Sequence, residues 1–331
     1  MVKRTFTLIE LIMVIVILGL IAVGSFKAIQ MLYERYYQVN VITRFSILSQ
    51  TLSDQMGTIL YNRIPITVIG YDPDNGDFKK LSDVDDDKYK IFEWMSGAYD
   101  AKLRTGLKGI GYGYTGFIDL DASNRDDRIL VAKDFNITDV NNTLVNVFNI
   151  HQDLNKTVAI IFAGDRDNGA QGSDYNNSYG WHGFQHKKVY VIQKFTQVNN
   201  DANLSMTSDI DGNRIFSKFY LPSSAWAIAL ARDVNLSAGC MVNLEKNSKV
   251  NDNTLLLFYN YRPWNNETFC ADKHQDNSET KEGNVSILAQ DVTSFKVKAV
   301  DYHIEFKVQF SKPLYRGSDR NITITKQKVV F

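Results

Sequence analysis

The sequence predicts an α+β protein, a long N-terminal helix carrying a β-rich globular head. Three observations predict it. From Phe6 to Phe26 every side chain is uncharged except Glu10, and the run is apolar and long enough to cross a bilayer as a helix. Further on, Val41, Phe45, Leu48, Leu52, Met56 and Ile59 recur at intervals of three and four, which makes one stripe along a helix. After Pro65, short runs rich in β-branched and aromatic residues alternate with clusters of Asn, Asp, Ser, Thr and Gly, the pattern of strands joined by turns.

A helix from Phe6 to about Asn62 would be roughly 85 Å long at 1.5 Å per residue. Arg44, Gln50, Ser53 and Asp54 fall largely off its apolar stripe, and Pro65 with the turn after it ends the run. Gly19 and Gly24 are soft points, each costing about 1 kcal/mol against Ala. In the head, "ITVIGY", "GFIDL", "TVAIIFAG", "KKVYVIQKF", "RIFSKFYL" and "TLLLFYNY" read as strands, and "DIDGNR" as a hairpin turn. "SSAWAIALARDV" reads as a short helix. The chain closes on three successive strands, "SILAQDVTSFKVKAV", "YHIEFKVQF" and "ITITKQKVVF". There is no internal repeat and no disordered tail.

Composition narrows the function classes. The 331 residues, 44% hydrophobic, can bury one large core or two modest ones. With 37 basic and 37 acidic side chains, no global field recruits nucleic acid or anionic lipid. Cys240 and Cys270 are the only cysteines, which excludes a disulfide-dense mini-domain and a four-cysteine zinc site.

The N-terminus admits three readings. Lys3 and Arg4 followed by an apolar run suit a signal peptide cleaved after Ala22-Val23-Gly24. They also suit a plain anchor with its basic end in the cytosol. Neither accounts for Glu10, since an ionised carboxylate at the bilayer centre costs roughly 2.5–3.5 kcal/mol. The third reading does. "FTLIEL" followed by an apolar helix resembles the class III leader of type IV pilins and type II secretion pseudopilins. The resemblance implies a leader at 1–5, removed by a prepilin peptidase between Thr5 and Phe6, and N-methylation of Phe6. It also implies a salt bridge from Glu10 to the terminal ammonium of a neighbouring subunit. Such a charge-assisted pair removes much of the cost of a carboxylate in low dielectric. Thr5 stands where that family prefers Gly, and Lys27 where its helix often has Pro.

On that resemblance, residues 6–27 are the transmembrane or filament-core helix, 28–65 its amphipathic continuation, and 66–331 the head. The three final strands resemble the C-terminal sheet of the J-type minor pseudopilins over about 45 residues. The roughly 220 residues before them exceed a minimal pilin head and leave room for an inserted subdomain. A head outside the cytosol, with only two cysteines, is expected to hold a Cys240–Cys270 disulfide.

Catalytic patterns are weak. "GYGYTG" (111–116) matches G-x-G-x-x-G, but "FIDLD" follows it, whereas a pyrophosphate site needs a helix there. His182 and His186 in "WHGFQH" are four apart, a spacing that suits metal only on a helix, and Gly183 and the strand pattern argue against one. No nucleophile motif appears, so no enzyme is expected. Asp72, Asp74, Asn75 and Asp77 around Gly76 are the one calcium candidate; they depart from EF-hand spacing and lack its final Glu. No other cofactor is expected. The eight Lys or Arg against four acids from Asp291 onward suit β-edge protection, and no nucleic-acid partner is expected.

Nine Asn-x-Ser/Thr sequons occur, at Asn136, Asn141, Asn155, Asn176, Asn203, Asn235, Asn266, Asn284 and Asn321. All but Asn266 have Asp or Glu two residues upstream, where the overall acid frequency would give about one. This pattern resembles the acceptor site of the bacterial periplasmic N-oligosaccharyltransferase. Turn chemistry clusters the same residue types and is the competing explanation. The sequence therefore leads to the expectation of a minor pilin or pseudopilin, with its N-terminus cytoplasmic, a single pass through the inner membrane and a periplasmic head. Its expected partners are other pilins and the prepilin peptidase. The alternative is a membrane-anchored or secreted β-rich adhesin or binding protein with no filament role.

Overall fold

A computed structural model describes residues 7–98, 115–138, 140, 142, 158–163, 175–207, 210, 215–245, 249–274, 279–300, 303–315 and 318–330. Helix α1 spans Leu8–Tyr61, 54 residues, and passes through Gly19 and Gly24 without a break. Thr7 caps it: the Thr7 hydroxyl accepts from the Glu10 backbone N–H, and the Glu10 carboxylate accepts from the Thr7 backbone N–H. It stops at Asn62. Pro65 opens a separate 3₁₀ turn, Pro65–Thr67, where its missing N–H costs nothing.

Only the outer half of α1 is covered. Val41, Phe45, Leu52, Met56 and Leu60 are buried, with Leu48 and Ile59 half-buried beside them. Ser49 and Ser53 are also buried, and with Gly57 they make a row of small residues four apart on which a strand can lie close.

Among the described residues, three antiparallel sheets build most of the head. The central one has six strands in the order β14–β11–β10–β3–β1–β2. These are β14 (Asn284–Ala289), β11 (Leu255–Tyr261), β10 (Pro222–Leu230), β3 (Ile91–Gly97), β1 (Ile69–Tyr71) and β2 (Phe78–Lys80). The C-terminal sheet runs β15 (Val292–Val300), β16 (His303–Pro313), β17 (Asn321–Val330), and β17 packs along α1. The third is a small closed barrel, β4–β5–β8–β7–β6–β9. Its strands are β4 (Gly116–Asn124), β5 (Ile129–Lys133), β8 (Asp201–Met206), β7 (Tyr190–Val198), β6 (Ala159–Phe162) and β9 (Lys218–Tyr220). All barrel strands lie between β3 and β10, which are neighbours in the central sheet. The barrel is thus an insertion into one hairpin. A two-stranded parallel ladder, β12 (Glu267–Phe269) with β13 (Thr280–Glu282), and helix α2 (Gly239–Glu245) complete the head.

Two expected elements are corrected. "SSAWAIALARDV" is strand β10 followed by a single 3₁₀ turn, Ala231–Asp233, and not a helix. Its period is two: Ala225, Ala227 and Ala229 face one core, and Trp226, Ile228 and Leu230 the other. A sheet position with both faces buried outweighs the helix propensity of alanine. "SILAQDVTSFKVKAV" is two strands, β14 and β15, in two sheets. The chain turns between them at Asp291, which adopts φ 62°. "ITVIGY" and "RIFSKFYL" each shorten to three-residue strands, Ile69–Tyr71 and Lys218–Tyr220.

Three cores result. One lies between the α1 stripe, one face of the central sheet and the C-terminal sheet, where Phe45 meets Phe310 at 5.5 Å between ring centroids. A second lies on the opposite face of the central sheet, under the disulfide-bearing segments. The third fills the barrel with Leu130, Phe135, Ile160, Phe162, Leu204 and Phe219.

Candidate functional site

Among the described residues, two places stand out as candidate sites. The first is the inner half of α1. From Leu8 to Tyr36 its large apolar side chains are exposed, and by length and composition it is, among the described residues, the one helix able to cross a membrane. Glu10 sits in the first turn, at the end of the apolar run and not at its centre. Its Oε2 accepts from the Thr7 N–H at 3.0 Å and the Thr7 hydroxyl at 2.9 Å. A carboxylate there also faces the positive end of the helix dipole. The Thr7-Leu8-Ile9-Glu10 capping box is legible as S/T-x-x-E before an apolar run, a local signal that the sequence reading passed over. The Thr5–Phe6 junction lies outside the described residues.

The second place is a buried polar network beneath the central sheet. Alternation along β3 turns Phe92 and Trp94 toward α1 and sends Glu93 into the opposite core. His182 meets it there. It lies in a 3₁₀ turn, Trp181–Gly183, with φ 47° and ψ 49°, between Gly180 at φ 80° and Gly183 at φ 75°. A Cβ on Gly180 would fall 2.6 Å from the Pro263 carbonyl oxygen, so this turn is held against backbone. The imidazole stacks on Tyr71, ring centroids 3.7 Å apart. Its Nε2 is 2.9 Å from Glu93 Oε1 and its Nδ1 is 3.3 Å from Asp272 Oδ2. The remaining carboxylate oxygens are also served: Tyr261 donates to Glu93 Oε2 at 2.6 Å, and Tyr71 to Asp272 Oδ1 at 2.9 Å.

Burial alone would push the His182 imidazole down, but the Glu93 charge and the hydrogen bonds to Asp272 and Glu93 raise it to about 10. Burial would raise Asp272, but its bond to His182 and the His182 charge hold it below the ordinary carboxylate range. Tyr71 and Tyr261 are raised by burial and by the neighbouring carboxylates, so both stay neutral donors. Glu279, just before β13, brings a third carboxylate. One ligand atom each from His182, Asp272 and Glu279 lies within 4.8 Å of the other two. The Lys281 ammonium donates to the carbonyls of Asp272 and His274 at 2.7 and 2.9 Å. A Cys240–Cys270 disulfide ties α2 to this same segment, two residues before Asp272.

The sequence found no carboxylate near His182 because Glu93 lies 89 residues away in the chain. A signal was present, since a glutamate between Phe92 and Trp94 in "IFEWMSG" is a buried acid that needs a partner. His186, the other histidine of that pair, turns its Nδ1 to the Val189 carbonyl instead.

The acidic loop joins β1 to β2 as a tight turn with Gly76 at φ 76°. Asp72 is buried and accepts from the Asp74 N–H and the Asn75 amide at 3.0 and 2.8 Å. Asp74 pairs with Lys90, and Asp77 gives its carbonyl to the Asp72 N–H. Residues 111–114 of "GYGYTG" are outside the described residues, and β4 follows them as a strand. "DIDGNR" is described only at Ile210. Among the sequons, Asn136, Asn176, Asn266, Asn284 and Asn321 are exposed and Asn203 and Asn235 half-buried, while Asn141 and Asn155 lie outside the described residues. No protein-family model matches the chain, and no curated protein and no solved structure matches it.

Proposed function

We propose that this protein is a minor pilin or pseudopilin, a structural subunit that helps to initiate or cap a type II secretion pseudopilus or a type IV pilus. The observation that carries the reading is the division of α1. One continuous helix has an exposed apolar inner half and an outer half anchored in the head by a buried stripe. A simple anchor needs no rigid continuation into a folded head, whereas a subunit that packs by its helix in a filament core needs both halves as one rod. The "FTLIEL" resemblance supports the same reading. In it the chain is inserted once through the inner membrane, N-terminus in the cytosol and head in the periplasm. The prepilin peptidase cleaves before Phe6, and other pilins dock along the inner half of α1.

The capping box supplies a test that separates charge from capping. Glutamine can also fill the N3 position of a capping box. Glu10→Gln should therefore keep the helix start, membrane insertion and head stability. It removes the charge that would pair with a neighbour's terminal ammonium. Co-purification with partner pilins should fall sharply in Glu10→Gln, and mass spectrometry of the membrane-extracted protein should find an N-methylated Phe6. Unchanged co-purification in Glu10→Gln would reduce Glu10 to a helix cap and favour an anchored binding protein without a filament role. A mature chain starting at Ser25 would replace the reading with a signal peptide.

A further inference from the structure

We propose that His182, Asp272 and Glu279 form a binding site for one divalent transition-metal ion, of which zinc is the representative, on the face of the central sheet turned away from α1. The donor set, one imidazole nitrogen and two carboxylates, suits such an ion. The separation fits as well. Two ligands on a tetrahedral ion at about 2.0–2.1 Å lie about 3.3–3.4 Å from each other, and His182 Nδ1 is 3.3 Å from Asp272 Oδ2. Glu279 offers the third ligand atom, within 4.8 Å of the other two.

The surroundings are those of a prepared ligand set. Glu93 at Nε2 fixes the ring so that Nδ1 faces Asp272, the carboxylate–histidine arrangement that orients a metal-bound imidazole. Tyr71 donates to the outer oxygen of Asp272 and stacks on the ring, so neither ligand can swing away. The strained turn at His182, the close backbone contact at Gly180 and the disulfide at Cys270 hold the ligand segments from three sides.

Charge points the same way. Glu93, Asp272 and Glu279 gather three carboxylates around one imidazole and the Lys281 ammonium in a largely buried place, a donor set that attracts a cation.

The test uses the full-length chain, purified in detergent without an affinity tag, stripped with a chelator and titrated with zinc chloride. Bound metal is read by mass spectrometry after gel filtration and by competition with a chromophoric chelator. About one zinc per chain is expected, together with a rise in thermal midpoint on zinc addition. Asp272→Asn should lose the bound zinc. Glu279→Gln, at the less buried ligand and so least prone to misfold, should retain the unligated midpoint while its affinity falls at least tenfold. Glu93→Gln should weaken binding by about ten- to a hundredfold, as loss of an orienting partner does. Cobalt in place of zinc should give the visible absorption of a four-coordinate site in the wild-type chain and none in Asp272→Asn. No stoichiometric zinc in the wild-type chain, or equal binding by the folded Glu279→Gln variant, would overturn the proposal and leave the network as a buried ion pair.

Discussion

Asp233 shows how a single buried side chain sets a pH response. It sits in the 3₁₀ turn after β10, where burial raises its carboxyl above the ordinary value although Lys90 and Arg232 pull it down. A folded-state value above the unfolded one means that folding favours the protonated form. The stability this contributes is present at acid pH and is lost as pH rises through the folded value. Asp233→Asn should therefore unfold at a higher temperature than the wild type at pH 7, and the difference should shrink as the buffer is taken toward pH 4. Asp233→Asn unfolding below the wild type at pH 7, with the gap closing on acidification, would mean that the ion pairs with Lys90 and Arg232 dominate. The sequons make a second residue-scale case. Asn136, Asn176, Asn284 and Asn321 are exposed and carry an acid two residues upstream, while Asn266 is exposed and does not. Asn203 is half-buried inside β8, paired to β5 and β7. In a host with the bacterial N-glycosylation pathway, glycopeptide mass spectrometry should find glycans at the first four and none at Asn266. Asn284 and Asn321 are first residues of strands, and both are open to solvent. Bare asparagine at all four sites in such a host would leave the pattern to turn chemistry.

Among the elements, α2 shows what a crosslink does for a short one. Seven residues are too few to hold a helix in water unaided. Met241 is buried against the core under the central sheet, and Cys240 is bonded to Cys270. Closing the 30-residue separation constrains the unfolded chain by about 3–4 kcal/mol in the chain-entropy model. Reduction, or Cys240→Ser with Cys270→Ser, should lower the thermal midpoint by several degrees, and free-thiol assay of protein purified without reductant should find none. Titratable thiols at both positions would show that the bond does not form in the cell. The same bond braces the Asp272 segment, so the double variant should also loosen the His182 network.

At the scale of the molecule, the inserted barrel is fused to the head and not hung from it. Strand β6 shows this within four residues: Ile160 and Phe162 point into the barrel core, Ala159 and Ile161 into the core under the central sheet. Val191 and Tyr220 share the second core as well. A strand that belongs to two cores couples their unfolding. Calorimetry should show one transition for barrel and head, and Ile161→Ala should move that transition as a whole, by about 2–4 kcal/mol of stability. Two separable transitions, with only one displaced, would show that the barrel folds alone.

The local periods in the sequence determined the long helix, its apolar inner half, the stripe at Val41 to Ile59 and the β-rich head, but not the break between β14 and β15. Each of those signals lies within a window of ten to twenty residues, and the physics that reads it is local: one face of a helix, or two faces of a strand. Beyond that range the tertiary structure decided. Whether "SSAWAIALARDV" coils or extends depends on β3 and β11 lying on either side of it, and alanine by itself leans the other way. The barrel became an insertion only because β3 and β10 pair across it. Glu93, His182 and Asp272, spread over 180 positions of the chain, meet because strand alternation and a strained turn deliver them to one buried point, where charges that could not be left alone had to find one another.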